Sequence, residues 1–166
     1  ALVVGDVSGK GTGAAFNMAQ MKGAFNSLVQ LNLPLDILLE LANKVMMKCL
    51  GRGEFITLLL AIVDTKRKFI EFARAGHTPL LFYSAEKNEV EGYEPSGLAL
   101  GMVGEKKYKG FAEAVLLEYS EGDKILMYTD GIIEARNKEG EEFGMDRLNA
   151  LFLKYSNLNT DDIVSK

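Results

Sequence analysis

The apolar positions of the first third of the chain follow a helical period. They recur at helical spacing from Ala14 to about Leu31 and from about Leu35 to Leu50. A break at Asn32-Leu33-Pro34 and a Gly-Arg-Gly stop at 51–53 bound the second of these segments. We therefore expect two helices. Their expected buried residues are Ala15, Met18, Met21, Phe25, Leu28 and Val29 in the first, and Leu38, Leu41, Ala42, Val45, Met46 and Cys49 in the second.

The middle of the chain changes to short β-prone runs. These runs cover 55–64, 68–75, 79–84, 90–93, 114–119 and 124–128. Polar turns at 65–67 and 120–123 predict that the first two runs form one hairpin and the last two form another. A helix is predicted from Met145 to Tyr155, and Asn159-Thr160-Asp161 is typical of the cap of a further helix. Because helices precede a set of hairpins, the pattern predicts an α+β fold with antiparallel sheet.

Composition narrows the class of protein and its partners. A chain of 166 residues with 48% apolar and 25% charged residues fits one globular domain. Its net charge of -4 gives no reason to expect nucleic acid or an anionic membrane as a partner. The single cysteine excludes an intramolecular disulfide and predicts a reducing, cytoplasmic compartment. The longest apolar run, 55–63, is far shorter than the roughly 20 residues that span a bilayer.

The opening of the chain is the first candidate site. Leu2 to Val4 is predicted to be a buried strand that stops at Gly5 and presents the carboxylate of Asp6 to a glycine-rich turn at 9–13. Asp6 is then either a metal ligand or the cap of the helix that follows. These residues alone leave both interpretations open.

A phosphate-binding P-loop is the third interpretation of this stretch, and its spacing is unfavourable. The P-loop motif requires four residues between its first glycine and Gly-Lys, followed directly by Ser or Thr. Here three residues separate Gly5 from Gly9, and Gly11 stands between Lys10 and Thr12.

A second acid follows a second apolar strand. Tyr128-Thr129-Asp130-Gly131 comes at the end of the run Ile125 to Tyr128. Two acids at the ends of two core strands can converge on one divalent cation, and a chain with a single histidine favours Mg²⁺ or Mn²⁺ over zinc. The alternative is a hairpin-type turn in which Asp130-Gly131 provides the backbone angles.

Taken together, an ordered set of motifs resembles a known family. The set is Gly-Asp-Val-Ser-Gly-Lys-Gly (5–11), Ala-Gly-His-Thr-Pro-Leu (75–80), Gly-Leu-Ala-Leu-Gly (97–101), Gly122-Asp123, Tyr-Thr-Asp-Gly-Ile-Ile-Glu-Ala-Arg-Asn (128–137) and Glu-Phe-Gly (142–144). It resembles the PPM metal-dependent protein serine/threonine phosphatases, in their bacterial SpoIIE-like branch. The resemblance runs over nearly the whole chain.

This resemblance implies a four-layer α-β-β-α sandwich, in which two antiparallel sheets lie between helix pairs. It implies two Mn²⁺ or Mg²⁺ ions and hydrolysis of phosphoserine or phosphothreonine by a metal-activated water, with no side-chain nucleophile. By the same resemblance, Asp6 bridges both ions, Val7 contributes a backbone carbonyl and Asp130 binds one ion.

Two further metal-ligand aspartates of the family have no clear counterpart. One precedes the first motif and would lie before residue 1. The other opens the last strand, and Asp161-Asp162-Ile163 lacks the Thr and the apolar run of that element, so a helix start is the preferred interpretation. We therefore expect residues 1–166 to be one catalytic domain truncated at both ends, weak as an enzyme alone. By family analogy, an upstream sensory domain is expected in the full-length protein, which could be membrane-tethered.

Other residues near the motifs are candidates for substrate binding or for supporting the ligands. They are Lys10, His77, Gly131 and Glu134. His77 either makes a structural hydrogen bond in a tight turn or donates a proton to the leaving serine. Lys10 either holds a phosphoprotein or is a solvated turn residue. Glu134, with its neighbours Arg136 and Asn137, either orients ligands or lies on the surface.

The resemblance also implies a partner. The usual substrate in this branch is a phosphoserine on a STAS-type anti-sigma-factor antagonist. The competing hypothesis is a non-catalytic PPM-like regulatory domain that binds a phosphoprotein. A generic metal- or nucleotide-binding domain is the third. The full-length chain distinguishes the first two hypotheses. If it contains both of the missing aspartate elements, the enzyme is favoured, and if either is replaced, the binding domain is favoured.

Overall fold

Two antiparallel sheets form the centre of the fold in the computed structural model, which describes residues 1–165. The strands are β1 Leu2–Val7, β2 Ile56–Asp64, β3 Phe69–Ala75, β4 Leu80–Ser84, β5 Glu89–Tyr93, β6 Ala114–Glu118 and β7 Lys124–Leu126. The helices are α1 Thr12–Leu28, α2 Leu35–Cys49, α3 Glu105–Tyr108, α4 Asp130–Ile133, α5 Met145–Lys154 and α6 Thr160–Val164, with a 3-10 turn at Val29–Leu31. One sheet has the strand order β1-β2-β3-β6 and the other has the order β5-β4-β7.

Three apolar clusters hold four layers together. Strand β2 is buried on both faces, so its alternate side chains enter two different clusters. Leu58 and Leu60 pack with α1 and α2, whereas Leu59 and Ala61 pack between the two sheets. The third cluster joins the three-stranded sheet to α5. The predicted α-β-β-α sandwich of two antiparallel sheets is confirmed.

The predicted helices are present, but part of their apolar face is uncovered. Ala15, Met18, Val45 and Cys49 are exposed, contrary to the expectation that they are buried. Met18 is 53% exposed because the sheet beneath α1 ends at the edge strand β1. Helical spacing identifies a face of a helix, but it does not show how far the neighbouring layer extends.

The predicted hairpin between β6 and β7 is wrong. Strand β6 pairs with β3 and β7 pairs with β4, so the turn between them crosses from one sheet to the other. Asp123 fixes this crossing, because its carboxylate accepts hydrogen bonds from the backbone N–H groups of Ser120 (2.7 Å) and Ala85 (2.8 Å). Apolar side chains of both strands face each other across the space between the sheets.

Among residues 1–165, no helix has both the length and the apolar character of a membrane span.

Candidate metal centre

Asp6 lies inside an edge strand and not after it. Strand β1 continues through Gly5 to Val7, so the expectation that it stops at Gly5 is wrong. The expectation that it is buried is also wrong, because Leu2 and Val3 are exposed at the edge of the sheet. Asp6 is paired in register with Thr57 of β2, and its side chain is exposed. A Cβ at Gly5 would lie 2.7 Å from the carbonyl oxygen of Thr57. Glycine therefore allows β1 to lie close to β2 just before the acid.

The turn after β1 separates Asp6 from the helix. Ser8 closes it, because its N–H donates to the Phe55 carbonyl (3.0 Å) and its Oγ accepts from the Phe55 N–H (2.8 Å). Helix α1 begins at Thr12 with Gly11 as its N-cap and no side-chain cap. The helix-cap interpretation of Asp6 is therefore wrong. Lys10 is exposed on this turn.

Asp130 begins a short helix. Thr129 is the N-cap of α4, and the N–H of Glu134 donates to the Asp130 carbonyl at 2.8 Å. Gly131 lies in the helix, so the hairpin-turn interpretation of Asp130-Gly131 is wrong. The side chains of Asp130 and Glu134 are exposed.

The neighbours of Glu134 pair with a later turn. Arg136 forms a salt bridge of 2.6 Å with Glu142, and the Asn137 side chain donates to Glu141 at 3.0 Å. These two residues stabilise the turn that follows α4.

His77 is the buried polar residue of this region. It is 5% exposed, and its Nδ1 lies 2.8 Å from Oγ1 of Thr57, the residue opposite Asp6. Its Nε2 is buried without a hydrogen-bond partner within residues 1–165. Gly76 has a φ of 65°, and a Cβ there would lie 2.9 Å from the Ala99 nitrogen, so the turn before the histidine requires glycine.

Burial and neighbouring charges act on the pKa of His77 in opposite directions. Burial lowers the pKa of His77 from its ordinary value of 6.5, and the Arg74 guanidinium acts in the same direction. The Tyr128 carbonyl and the carboxylates of Asp130 and Asp6 oppose this by raising the pKa. Burial prevails, so the pKa of His77 is lowered overall and the neutral form of the ring is favoured.

Two threonines at this site were missed by the sequence analysis. Thr57 contacts the ring of His77, and Thr78 donates from its Oγ1 to the carbonyl of Tyr128 at 2.5 Å. A polar residue inside the apolar run 55–63 was a signal for Thr57. The partner of Thr78 lies 50 residues away, so local pattern could not identify it.

Comparison with known proteins identifies the family. The profile described as Stage II sporulation protein E (SpoIIE) matches residues 1–166. The chain belongs to the SpoIIE family. The resemblance that the ordered motifs indicated is thus confirmed.

Curated relatives and solved structures agree with this SpoIIE assignment. The chain is 31% identical over 139 residues to the phosphoserine phosphatase RsbU of Bacillus subtilis, covering 84% of this chain and 40% of RsbU. It is 27% identical to protein IcfG of Synechocystis, covering 89% of this chain and 27% of IcfG. The chain therefore spans two fifths or less of these relatives.

Two solved structures share the fold. A Mycobacterium tuberculosis protein with RsbU and RsbW domains matches with a TM-score of 0.78 at 25% identity, covering 93% of this chain and 42% of that one. The SiaA PP2C domain of Pseudomonas aeruginosa matches with a TM-score of 0.82 at 19% identity, covering 98% and 64%.

In this SpoIIE-family chain, Asp6 and Asp130 fit part of a divalent-cation site. Both carboxylates are exposed and neither forms a salt bridge within residues 1–165. Carboxylate oxygens suit Mg²⁺ and Mn²⁺. The described residues hold no group of three or more potential ligand side chains. Asp161 is in the first turn of α6, where the Asn159 side chain accepts from the N–H of Asp162, so its interpretation as a helix start is confirmed.

Proposed function

We propose that this chain is the catalytic domain of a protein serine/threonine phosphatase that hydrolyses phosphoserine or phosphothreonine on a regulatory protein. The observation that carries the proposal is a set of contacts that links the surroundings of two acids from different sheets. Thr57, the strand partner of Asp6, contacts the buried ring of His77. The next residue, Thr78, donates to the Tyr128 carbonyl, two positions before Asp130. Asp6 comes from the four-stranded sheet and Asp130 follows a strand of the other, and both act on the pKa of His77. The similarity to RsbU, a phosphoserine phosphatase, supports the same reaction.

In this proposal Asp6, Asp130 and the carbonyl of Val7 hold Mg²⁺ or Mn²⁺. Such ions stabilise charge on a transferring phosphoryl group and activate water as the nucleophile when they are bound. The chain itself contributes the two negative charges that attract the cations. Lys10, exposed on the turn after Asp6, contributes a positive charge that attracts the phosphate of an incoming phosphoprotein.

Gly131 and Glu134 are proposed to support Asp130. Gly131 follows Asp130 in α4, Glu134 is the C-cap of that helix, and both are exposed. We also propose that residues 1–166 are a single incomplete domain and that the full-length protein supplies the remaining ligands. The absence of a third ligand side chain from the described residues supports this proposal.

The proposed substrate is a phosphoserine on a STAS-type anti-sigma-factor antagonist in the cytoplasm. The relationship to RsbU, and to the mycobacterial protein in which RsbU and RsbW domains occur together, supports a partner-switching pathway. A non-catalytic domain that binds a phosphoprotein is the second candidate. The incomplete ligand set within residues 1–165 is compatible with both candidates, and the aspartates of the full-length chain distinguish them.

A comparison of two chains tests the proposal. Mn²⁺-dependent hydrolysis of a phosphoserine peptide and of p-nitrophenyl phosphate is measured for this chain and for a chain extended at both ends. Each is made with Asp6→Asn, Asp130→Asn and the control Asp146→Asn, which changes an exposed aspartate on α5. We expect the extended chain to be active, and each site variant to lose about 100-fold or more of that activity and its Mn²⁺ binding.

The control variant should retain both properties. An extended chain that binds the phosphopeptide but hydrolyses nothing at saturating Mn²⁺ would contradict the enzymatic proposal and favour the binding domain.

A further inference from the structure

A series of hydrogen bonds connects strand β2, which pairs with the strand of Asp6, to the segment that leads into Asp130. Asp6 is paired with Thr57 across β1 and β2, and the hydroxyl of Thr57 contacts Nδ1 of His77 at 2.8 Å. The next residue, Thr78, donates to the carbonyl of Tyr128, two positions before Asp130. We call Thr57, His77 and Thr78 the inter-sheet bridge.

We propose that the inter-sheet bridge sets the separation of Asp6 and Asp130, and that its three members are positioning residues for the divalent cations. This inference rests on the proposed function, because it assigns a role toward the same cations.

The physical need for the bridge follows from the location of the two acids. They belong to different sheets, and packing between those sheets is apolar. Apolar packing is not directional, so it does not fix the relative position of two carboxylates closely. Metal ligands must lie within about 0.2 Å of their preferred distances. Directional hydrogen bonds between the sheets provide that precision.

The backbone of the bridge is itself held in place. The Arg74 guanidinium donates from Nη1 to the His77 carbonyl at 2.6 Å and from Nε to the Pro95 carbonyl at 3.0 Å. The N–H of Gly76 donates to the carbonyl of Gly97 at 3.1 Å. A Cβ at Gly97 would lie 1.7 Å from the Arg74 carbonyl oxygen, so glycine is required where these segments meet.

The surroundings of His77 also determine its tautomer. The Tyr128 carbonyl and the carboxylates of Asp6 and Asp130 near the ring are acceptors only, whereas the Thr57 hydroxyl can donate. The arrangement therefore favours Thr57 as donor to Nδ1, with the imidazole proton on Nε2. Within the described chain that buried nitrogen makes no hydrogen bond of ordinary geometry, and the Tyr128 carbonyl is the backbone acceptor that raises the pKa of the ring.

Metal affinity is the first test. Thr57→Val and Thr78→Val keep the side-chain shape but remove the hydroxyl, and His77→Gln removes the ring. Mn²⁺ binding by calorimetry should weaken by about 10-fold to 100-fold in each variant, as for other residues that orient metal ligands. Thr57→Ser and Thr78→Ser should restore most of the affinity. The matched control is Ser156→Ala. It removes a buried hydroxyl that donates to the Leu153 carbonyl in α5.

A spectroscopic test needs no metal. His77 is the only histidine in the sequence, so a chain without a histidine tag gives a single set of imidazole signals in long-range ¹H–¹⁵N spectra. We expect the Nε2–H tautomer in the unaltered chain and loss of that single tautomer in Thr57→Val. A spectrum that Thr57→Val leaves unchanged would overturn the bridge.

The outcomes separate this inference from the proposed function. If Asp6→Asn abolishes Mn²⁺ binding while both valine variants bind as tightly as the unaltered chain, the bridge is wrong and the metal site stands. If neither this chain nor the extended chain binds Mn²⁺, the proposed function is wrong, and the positioning role is overturned with it.

Discussion

His77→Gln should change how stability depends on pH. Burial of the imidazole lowers the pKa of His77 below its ordinary value of 6.5, and the nearby Arg74 adds to this. The Tyr128 carbonyl, Asp130 and Asp6 reduce the effect without reversing it. Glutamine keeps a polar side chain at the position but does not titrate.

The direction follows from proton linkage. Because the folded pKa lies below the unfolded one, the unfolded chain binds more protons between the two values. The neutral imidazole therefore makes its full contribution to the free energy of unfolding above pH 6.5, and this contribution decreases as the pH falls from 6.5 toward the folded pKa. One proton gives at most about 1.4 kcal/mol per pH unit. For a domain of this size that is about 3–6 °C in Tm per unit.

Urea denaturation between pH 5.5 and 7.5, with EDTA present, measures the effect. The free energy of unfolding of the unaltered chain, minus that of His77→Gln, should decrease as the pH falls through 6.5. Other titrating groups largely cancel in this difference. Asp6→Asn removes a group that raises the histidine pKa, so the same decrease should extend to lower pH. A difference that is constant or increases on acidification would refute the reasoning.

Three further substitutions test how different parts of the fold contribute to stability and to Mn²⁺ binding. Asn43→Ala removes the buried amide that bonds the half-buried Gly101 N–H and Val103 carbonyl, and it should destabilise by about 1–3 kcal/mol in urea titrations. Gly5→Ala places a Cβ 2.7 Å from the Thr57 carbonyl oxygen, so it should destabilise the fold by about 1–3 kcal/mol and weaken Mn²⁺ binding. The control is Gly23→Ala in α1, where a Cβ would have no neighbour within 4 Å; it should stabilise the helix by about 0.5–1 kcal/mol. Leu59→Ala, between the sheets, should destabilise by about 2–5 kcal/mol while leaving Mn²⁺ affinity within about threefold.

The sequence was informative where structure depends on local pattern. The apolar runs locate strand β1, although not its continuation through Asp6, and they locate helix α5, because a run of apolar residues and helical spacing are properties of neighbouring residues. The two acids were identified as a pair because each follows an apolar run and adjoins glycine. Their ligand roles remain predictions.

Contacts between residues far apart in the sequence could not be predicted from local pattern. The apolar alternation of 114–119 and 124–128 is the same whether the two strands pair with each other or with strands of different sheets. The contact of Thr57 with His77 spans 20 residues and that of Thr78 with Tyr128 spans 50. No local pattern identifies such partners. The bridge therefore becomes visible only in three dimensions.

Stability and metal affinity should respond to different mutations in this fold. Leu59→Ala weakens the packing between the sheets, whereas Thr57→Val removes a single directional bond near Asp6. If packing alone set the distance between the acids, the leucine variant would lose both stability and affinity, since a cavity relaxes the surrounding layers. If the bridge sets that distance, the larger loss of affinity occurs in the threonine variant, although it loses less stability. Measuring both quantities in both variants therefore distinguishes precise positioning of the acids from general cohesion of the sandwich.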